Sequence, residues 1–144
     1  MVELNIKLHD EKFRKDMDAL QEVIPDINER AIGLAAEFVR GRVQKDYLMG
    51  PRPERLEVRT ARLTQSIQSE VEREGKDSRA FVMSYARSLD GFNYPAYWEY
   101  DGSKHGGPRP FLGPAVEDNA DKWVDIWINN LKKRIEAWLS ARAS

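Results

Sequence analysis

The stretch around which this chain is organised covers residues 94–115 and reads Tyr-Pro-Ala-Tyr-Trp-Glu-Tyr-Asp-Gly-Ser-Lys-His-Gly-Gly-Pro-Arg-Pro-Phe-Leu-Gly-Pro-Ala. Aromatic residues crowd its first half, glycines fill its middle, and a proline-flanked Phe-Leu pair closes it. Tyr, Trp and Arg contribute much of the free energy at protein contacts, because they bury large rigid surfaces that carry polar tips. The pattern predicts a mobile glycine loop held between aromatic anchors. An ordinary surface loop beside a core cluster is the alternative.

The composition favours a single domain, 1–144, without disulfide or thiolate chemistry. The chain has 144 residues, no cysteine and two histidines, and its 23 basic and 24 acidic side chains leave a net charge of −1. This balance argues against a dedicated nucleic-acid-binding protein, which usually has a basic excess. No apolar run approaches the roughly 20 residues of a membrane span, and the N-terminus lacks the apolar core of a signal peptide. We therefore expect a soluble protein with no membrane partner.

Two kinds of periodicity precede the quoted stretch in the N-terminal third of the chain. Residues 2–9 alternate between apolar and polar side chains, which predicts a half-buried strand. Apolar residues then recur every three or four positions, which predicts one helix that ends at Pro25 and a second that restarts there and reaches Leu48. Gly33 and Gly41 on the second helix either allow another helix to approach closely or weaken it.

The middle of the chain reads as a short helix followed by a hairpin. Thr60 is placed to cap a helix over 61–68, whose apolar residues have helical spacing. The run Gly75-Lys-Asp-Ser78 has the chemistry of a turn and separates two candidate strands, 69–74 and 79–86. This pattern predicts an antiparallel hairpin.

The quoted stretch leads into a long amphipathic C-terminal helix. Large apolar residues recur at spacings of three and four from Val116 to Leu139, and Trp123, Trp127 and Trp138 lie on this stripe. The order of elements predicts an α+β fold with a small, mostly antiparallel sheet packed by helices. A tryptophan stripe favours a core role, but part of such a large face is expected to meet a neighbouring subunit.

The sequence lacks the motifs of catalysis, metal binding and phosphate binding. It contains no Gly-x-Ser-x-Gly nucleophile elbow, no His-Glu-x-x-His metal motif and no Gly-x₄-Gly-Lys-Ser/Thr phosphate loop. His105 and Asp101 in the glycine loop leave a small hydrolase as the least favoured hypothesis, because a catalytic base must be held rigidly. We expect no enzymatic activity, no cofactor and no metal.

Four arginines form the nearest approach to a basic patch. They are Arg52, Arg55, Arg59 and Arg62. Glu54 and Glu57 lie among them, so a solvated segment with local ion pairs is one interpretation. The other is a module that contacts DNA phosphates, or an acidic partner surface, without reading sequence.

Three segments taken together resemble a known family. They are Leu63-Thr-Gln-Ser-Ile67, then Tyr94-Pro-Ala-Tyr-Trp-Glu-Tyr-Asp-Gly102, then Arg109-Pro-Phe-Leu-Gly-Pro-Ala115 leading into a long helix. In this order and spacing they resemble the small tail-component family of long-tailed bacteriophages and prophages, over about residues 60–130. The family's Glu-aromatic-Gly run is continuous, whereas Asp101 is inserted here between Tyr100 and Gly102.

The resemblance implies a structural virion protein, assembled in the host cytoplasm, at the junction between phage head and tail. It implies a sixfold ring in a tail-completion or tail-terminator role, which joins the head connector or stopper protein to the major tail tube protein. DNA would pass through the lumen with non-specific contacts at most. A head-completion or adaptor layer of the same connector is the alternative. The candidate contact residues are Trp98, Glu99, Tyr100, Arg109, Phe111 and Leu112.

The quoted stretch also carries geometric expectations. Prolines restrict the backbone around Phe111, so its side chain is presented in a fixed position, either to the core or to a neighbouring subunit. We expect Phe111 and Trp98 to be buried, and Glu99 and Arg109 to pair across the base of the loop. We expect loop 101–107 to be poorly ordered in a lone subunit.

Overall fold

The computed structural model describes residues 2–48, 63, 65–86, 95, 99–100 and 110–143, of which 2–10 and 143 are described by their helical backbone alone. The elements are helix α1 (Val2–Arg42), which continues as a π-helical turn (Val43–Tyr47), strands β1 (Ile67–Glu74) and β2 (Asp77–Ser84), and helices α2 (Gly113–Asp118) and α3 (Ala120–Ala143). The described residues form an α+β fold in which a two-stranded antiparallel sheet is packed by helices. The predicted fold class is confirmed.

Helix α1 takes the place of the strand predicted over 2–9. That prediction is wrong, because the helix begins at Val2. A strand needs a neighbour for its backbone N–H and C=O groups, whereas a helix bonds its own. Glu3 and Lys7 also have the i,i+4 spacing, with the acid first, that supports a helix. Alternation over a few residues therefore did not distinguish the two structures.

The predicted break at Pro25 is also wrong, since α1 runs through it. A proline in a helix interior removes one backbone hydrogen bond and costs about 3 kcal/mol. Pro25 is buried, and Leu20 and Ala31 on either side of it are buried as well. Burial of these three apolar side chains offsets the cost of the lost hydrogen bond.

The π-helical turn at the end of α1 redirects the apolar face. The Leu48 N–H donates to the Val43 carbonyl oxygen at 3.1 Å, a bond that spans five residues. On an α-helix, residues five apart point about 140° away from each other, whereas the wider π turn stacks them. Val43 and Leu48 are both fully buried, and Tyr47 is 5% exposed. The turn thus brings all three side chains into one core.

The predicted hairpin is confirmed. Strands β1 and β2 pair antiparallel, with Ile67 opposite Ser84 at one end and Glu74 opposite Asp77 at the other. Gly75 has φ +62°, a left-handed conformation that glycine adopts without steric cost. The two residues between the strands therefore close a tight turn.

The predicted helix over 61–68 is too long at its C-terminal end, because Ile67 already belongs to β1. The Ser66 hydroxyl donates to the Leu63 carbonyl oxygen at 2.6 Å and shares a hydrogen bond of 2.6 Å with the Ser84 hydroxyl. A serine side chain that bonds nearby backbone competes with helix continuation. Ser66 therefore marks the change from helical turn to strand.

The hairpin lies against α1 at Gly33. A Cβ atom on Gly33 would lie only 3.3 Å from Cγ2 of Val71 in β1, so the missing side chain lets the strand approach. Of the two roles predicted for Gly33, close approach is the one observed, with a strand rather than a helix. Gly41 has no neighbour within 4 Å of such a Cβ atom. Polar bonds hold the strand along the helix, from Arg73 to Asp26 and Glu29, and from Ser69 to Glu37.

The predicted C-terminal helix is confirmed as α2 and α3, which are separated at Asn119. The Trp127 indole N–H donates to Asn28 Oδ1 at 2.8 Å, and Arg142 Nε donates to Asp16 Oδ1 at 3.1 Å. The partner on α1 moves toward its N-terminus as the chain advances along α3. The two long helices are therefore antiparallel.

The core lies where the π-helical turn, β1 and α2 meet. Its buried members are Val39, Val43, Tyr47, Leu48, Leu63, Ile67, Ala86, Phe111 and Ala115. Phe111 is fully buried, which confirms that prediction. This core joins parts of the chain that are far apart in sequence, and it fixes the position of residues 110–115.

Candidate interaction site

The side chain of Glu99 joins the two halves of the stretch 94–115. Its Oε2 accepts hydrogen bonds from the backbone N–H groups of Phe111 at 2.8 Å and Leu112 at 2.9 Å, and its Oε1 accepts one from Gly113 at 2.8 Å. Leu112 is the N-cap residue of α2 and has no side-chain oxygen to bond the free N–H groups of the first turn. Glu99, which lies 13 residues before Leu112 in the sequence, supplies that acceptor. We call this arrangement the Glu99 clamp.

The prolines around the clamp limit which donors it uses. Pro114 lies in the first turn of α2 and has no N–H, so the run of donors ends at Gly113. A carboxylate near a helix N-terminus also interacts favourably with the helix dipole. The clamp therefore matches one negative charge to the three donors that the sequence leaves unpaired.

Below the clamp, Phe111 is fully buried in the core and the half-buried Leu112 packs against it. Of the two roles that the sequence left open for Phe111, the core is the one that the structure shows. Within one subunit, the Phe111 ring is a support for the site and is not available to a partner. The side chain anchors the start of α2.

On the solvent side of the clamp, the Tyr100 side chain is 82% exposed. It directly follows Glu99, so the clamp fixes the backbone from which its ring projects. A large exposed aromatic side chain on a fixed backbone is typical of a protein contact, because little ordering entropy is lost on binding. Among the described candidate contact residues, Tyr100 is therefore the best placed to meet a partner.

The other predicted site residues lie outside the described residues. These are Trp98 and Arg109, the arginines Arg52, Arg55, Arg59 and Arg62, and the pair Asp101 and His105. The predictions that Trp98 is buried, that Glu99 pairs with Arg109, that Thr60 caps a helix and that loop 101–107 is poorly ordered are likewise outside them. The described partners of Glu99 are backbone N–H groups, to which both of its side-chain oxygens are bonded.

A second polar junction, which the sequence did not predict, fixes the step from α2 to α3. The Tyr47 hydroxyl donates to Asp118 Oδ2 at 2.8 Å and accepts from Asn119 Nδ2 at 3.3 Å. Asn119 Nδ2 also donates to the Ala115 carbonyl oxygen at 2.8 Å. The available signal was an asparagine inside a helical run, next to an aspartate that could meet a buried tyrosine. This junction ties the site to the end of α1.

The N-terminal half of α1 exposes an apolar stripe. Phe13 is 61% exposed, while Met17 and Ile24 are each 37% exposed, and we call these three residues the α1 stripe. Ile24 lies nine residues before Gly33, which places it about half a turn around the helix from the face that the hairpin covers. The predicted apolar face of this segment therefore exists, but only its member Leu20 is buried.

Within the described ranges, no three His, Cys, Asp or Glu side chains are grouped as they would be to hold a metal ion. Among these residues, none of the helices combines the length and apolar character that crossing a membrane requires.

Comparisons with protein-family models, with curated proteins and with solved structures gave no match to this chain.

Proposed function

We propose that this protein is a structural subunit of the head–tail junction of a long-tailed bacteriophage or prophage, in a tail-completion or tail-terminator role. Copies of the chain would form a ring, sixfold by the resemblance, that joins the head connector to the tail tube. The protein would act through its contacts and without catalysis.

The observation that carries this proposal is that the three segments resembling the family belong to one structural unit. Leu63 and Ile67 from the first segment lie in the same core cluster as Phe111 and Ala115 from the third. Glu99 from the second segment binds the backbone of the third. Because the three segments contact one another, we expect their order and spacing along the chain to be constrained together.

Exposed apolar side chains supply the surfaces that a ring requires. Tyr100 projects from the Glu99 clamp, which lies beside the core around Val43. The α1 stripe ends at Ile24, roughly 28 Å from Val43 along the same helix. Contiguous exposed apolar patches commonly mark protein contacts, and the three side chains of the α1 stripe share one face of the helix. Two separate surfaces on one chain fit a head-to-tail arrangement, in which different faces of neighbouring copies meet and close a ring.

Particle composition tests the proposal directly. Virions produced from the phage or prophage that encodes this chain would be purified and their proteins quantified by mass spectrometry, with the major tail tube protein as internal standard. We expect a few copies per virion, in a fixed ratio, and immunogold label at the neck. Absence of the chain from intact virions would refute the proposal. Label at the neck in heads that lack tails would favour the head-completion or adaptor layer.

A pair of tyrosine variants tests the contact surface. Tyr100→Ala removes the exposed ring beside the clamp, and Tyr85→Ala removes a ring that is 50% exposed next to the hairpin. Both variants should fold, because neither ring belongs to the buried core. We expect only Tyr100→Ala to reduce incorporation into particles. Equal incorporation of both variants would exclude Tyr100 from the contact.

A further inference from the structure

A cleft of about 300 Å³ lies between the two long helices and contains two arginines. Arg30 comes from α1 and Arg134 from α3, and neither forms an ion pair with a described residue. The one acidic side chain of the cleft, Asp26, binds Arg73 of the hairpin instead. Two guanidinium groups therefore share one cleft with a single carboxylate, and that carboxylate is bonded to Arg73.

Arg134 carries an unsatisfied donor in this cleft. Its Nε atom is buried and has no hydrogen-bond partner among the described residues. A buried N–H group without an acceptor destabilises the folded protein, and such groups in folded proteins are rare enough to need an explanation. Because the atom is shielded from solvent, the Arg134 side chain must shift before an acceptor bound in the cleft can satisfy this donor.

The remaining walls of the cleft are apolar. Val23, Ile27, Ala137 and Trp138 line it together with the arginines. The guanidinium of Arg142 lies 4.9 Å from the centre of the Trp138 ring and also bonds Asp16, so the indole is held in place. A volume near 300 Å³, mainly apolar walls and a few convergent polar groups are typical of small-molecule sites.

We propose that this cleft binds a small organic oxyanion, a carboxylate or phosphate group that carries an aromatic or aliphatic body. The oxyanion would accept hydrogen bonds from Arg30 and Arg134, whose planar guanidinium groups match the geometry of carboxylate and phosphate oxygens. The body of the ligand would pack against Trp138 and the neighbouring aliphatic side chains. This site is independent of the Glu99 clamp and of the proposed assembly role.

The test follows the indole N–H signals of the intact chain by two-dimensional NMR, with Trp138 assigned from Trp138→Phe. The probes are phenyl phosphate and benzoate, and the comparisons are phenol, which lacks the charge, and inorganic phosphate, which lacks the ring. We expect saturable shifts of the Trp138 signal with phenyl phosphate, benzoate or both, and weaker binding of phenol and inorganic phosphate. The stronger of the two probes identifies the oxyanion class. No saturable shift, or equal binding of phenol, would overturn the proposal.

Matched arginine variants complete the test. Arg134→Gln and Arg30→Gln should each raise the apparent Kd about tenfold, as expected for loss of a charged hydrogen bond. Arg40→Gln is the control, because Arg40 lies on the same helix but bonds Glu37 outside the cleft. Arg134→Gln should also leave Tm unchanged or higher, since it removes an unsatisfied buried donor. Should that variant fail to fold, the exposed Arg30 carries the test, and unchanged binding by Arg30→Gln would overturn the assignment.

Discussion

The Glu99 clamp illustrates how a polar side chain can organise a segment that lacks a local cap. Three consecutive backbone donors converge on its two oxygens. The sequence singled out Glu99 and predicted a pair with Arg109, which lies outside the described residues. It did not predict the backbone partners of Glu99, because side-chain charges are visible in a sequence and free backbone donors are not. Recognition of the clamp required knowing that α2 starts at Gly113 and that the preceding leucine cannot cap it.

Substitution of Glu99 by glutamine should destabilise the protein. The amide presents an NH₂ group where a carboxylate oxygen accepted a bond, so at least one backbone N–H loses its acceptor. We expect Glu99→Gln to lower the free energy of unfolding by about 1–3 kcal/mol, measured by urea denaturation. The control is Glu117→Gln, which removes the same charge from an exposed position on α2. Equal stability of the two variants would contradict the role of the clamp.

Glu37 gives the stability a dependence on pH. The hydrogen bond from the Ser69 hydroxyl, assisted by Arg40, lowers the pKa of Glu37 below its ordinary value of 4.5. A carboxyl with a lowered pKa stabilises the folded state above its unfolded pKa, and this contribution is lost as pH falls through the lowered value.

Ser69→Ala should therefore reduce stability at neutral pH but not in acid. The Glu37 side chain is 51% exposed, so solvent screening limits the expected loss to about 1 kcal/mol or less. The measurement is chemical denaturation of both proteins from pH 7 down to pH 3. The difference between them should shrink as Glu37 becomes protonated. A difference that grows in acid would contradict this assignment.

At the scale of elements, the sequence predicted the helices and strands whose signals lie within the segment itself. The hairpin followed from turn residues around Gly75, and the C-terminal helix followed from its long apolar period. The predictions for the first half of helix α1 were wrong over residues 2–9 and at Pro25. Whether such a segment forms a strand, a broken helix or a continuous helix depends on its pairing and packing with distant segments. The π-helical turn at Val43–Tyr47 has no comparable sequence signal, since it adjusts the end of α1 to a core assembled from later residues.

The two glycines of α1 should respond in opposite directions. Gly41→Ala should raise the free energy of unfolding by about 0.5–1 kcal/mol, because alanine favours the helix and nothing lies within 4 Å of its Cβ. Gly33→Leu should lower it by about 1–3 kcal/mol, since the new side chain would occupy the space of Val71. Thermal and urea denaturation of the two variants provide the test. Stabilisation by Gly33→Leu would mean that the hairpin does not pack closely on α1.

At the scale of the whole molecule, two antiparallel helices of different length carry the hairpin and the clamp. Helix α1 extends over about 60 Å, and α3 over about 36 Å. The contact between Arg142 and Asp16 lies near the C-terminal end of α3, and residues 11–15 of α1 beyond it are all exposed. Residues 11–15 thus form an exposed stretch of helix, and its one apolar side chain, Phe13, is 61% exposed.

Substitutions at Phe13 and Leu20, two apolar positions of α1, should distinguish an effect on assembly from an effect on folding. Phe13→Ser should leave the free energy of unfolding within about 0.5 kcal/mol of the parent, because the ring is 61% exposed. Leu20→Ala should cost about 2–5 kcal/mol, because Leu20 is buried. Under the proposed function, Phe13→Ser should also reduce incorporation into virions. A large loss of stability in Phe13→Ser would indicate that the stripe is covered by its own chain.

The Glu99 clamp also has a practical consequence for protein engineering. Because it holds Glu99 against residues 111–113, the distance between the two ends of the intervening chain is set by hydrogen bonds and not by the number of residues between them. The entropy of closing a loop rises slowly with length, by about 0.6 kcal/mol for each doubling. A short epitope inserted between Lys104 and His105 should therefore be compatible with the native fold. Such an insertion would add an antibody tag without changing the residues that form the clamp.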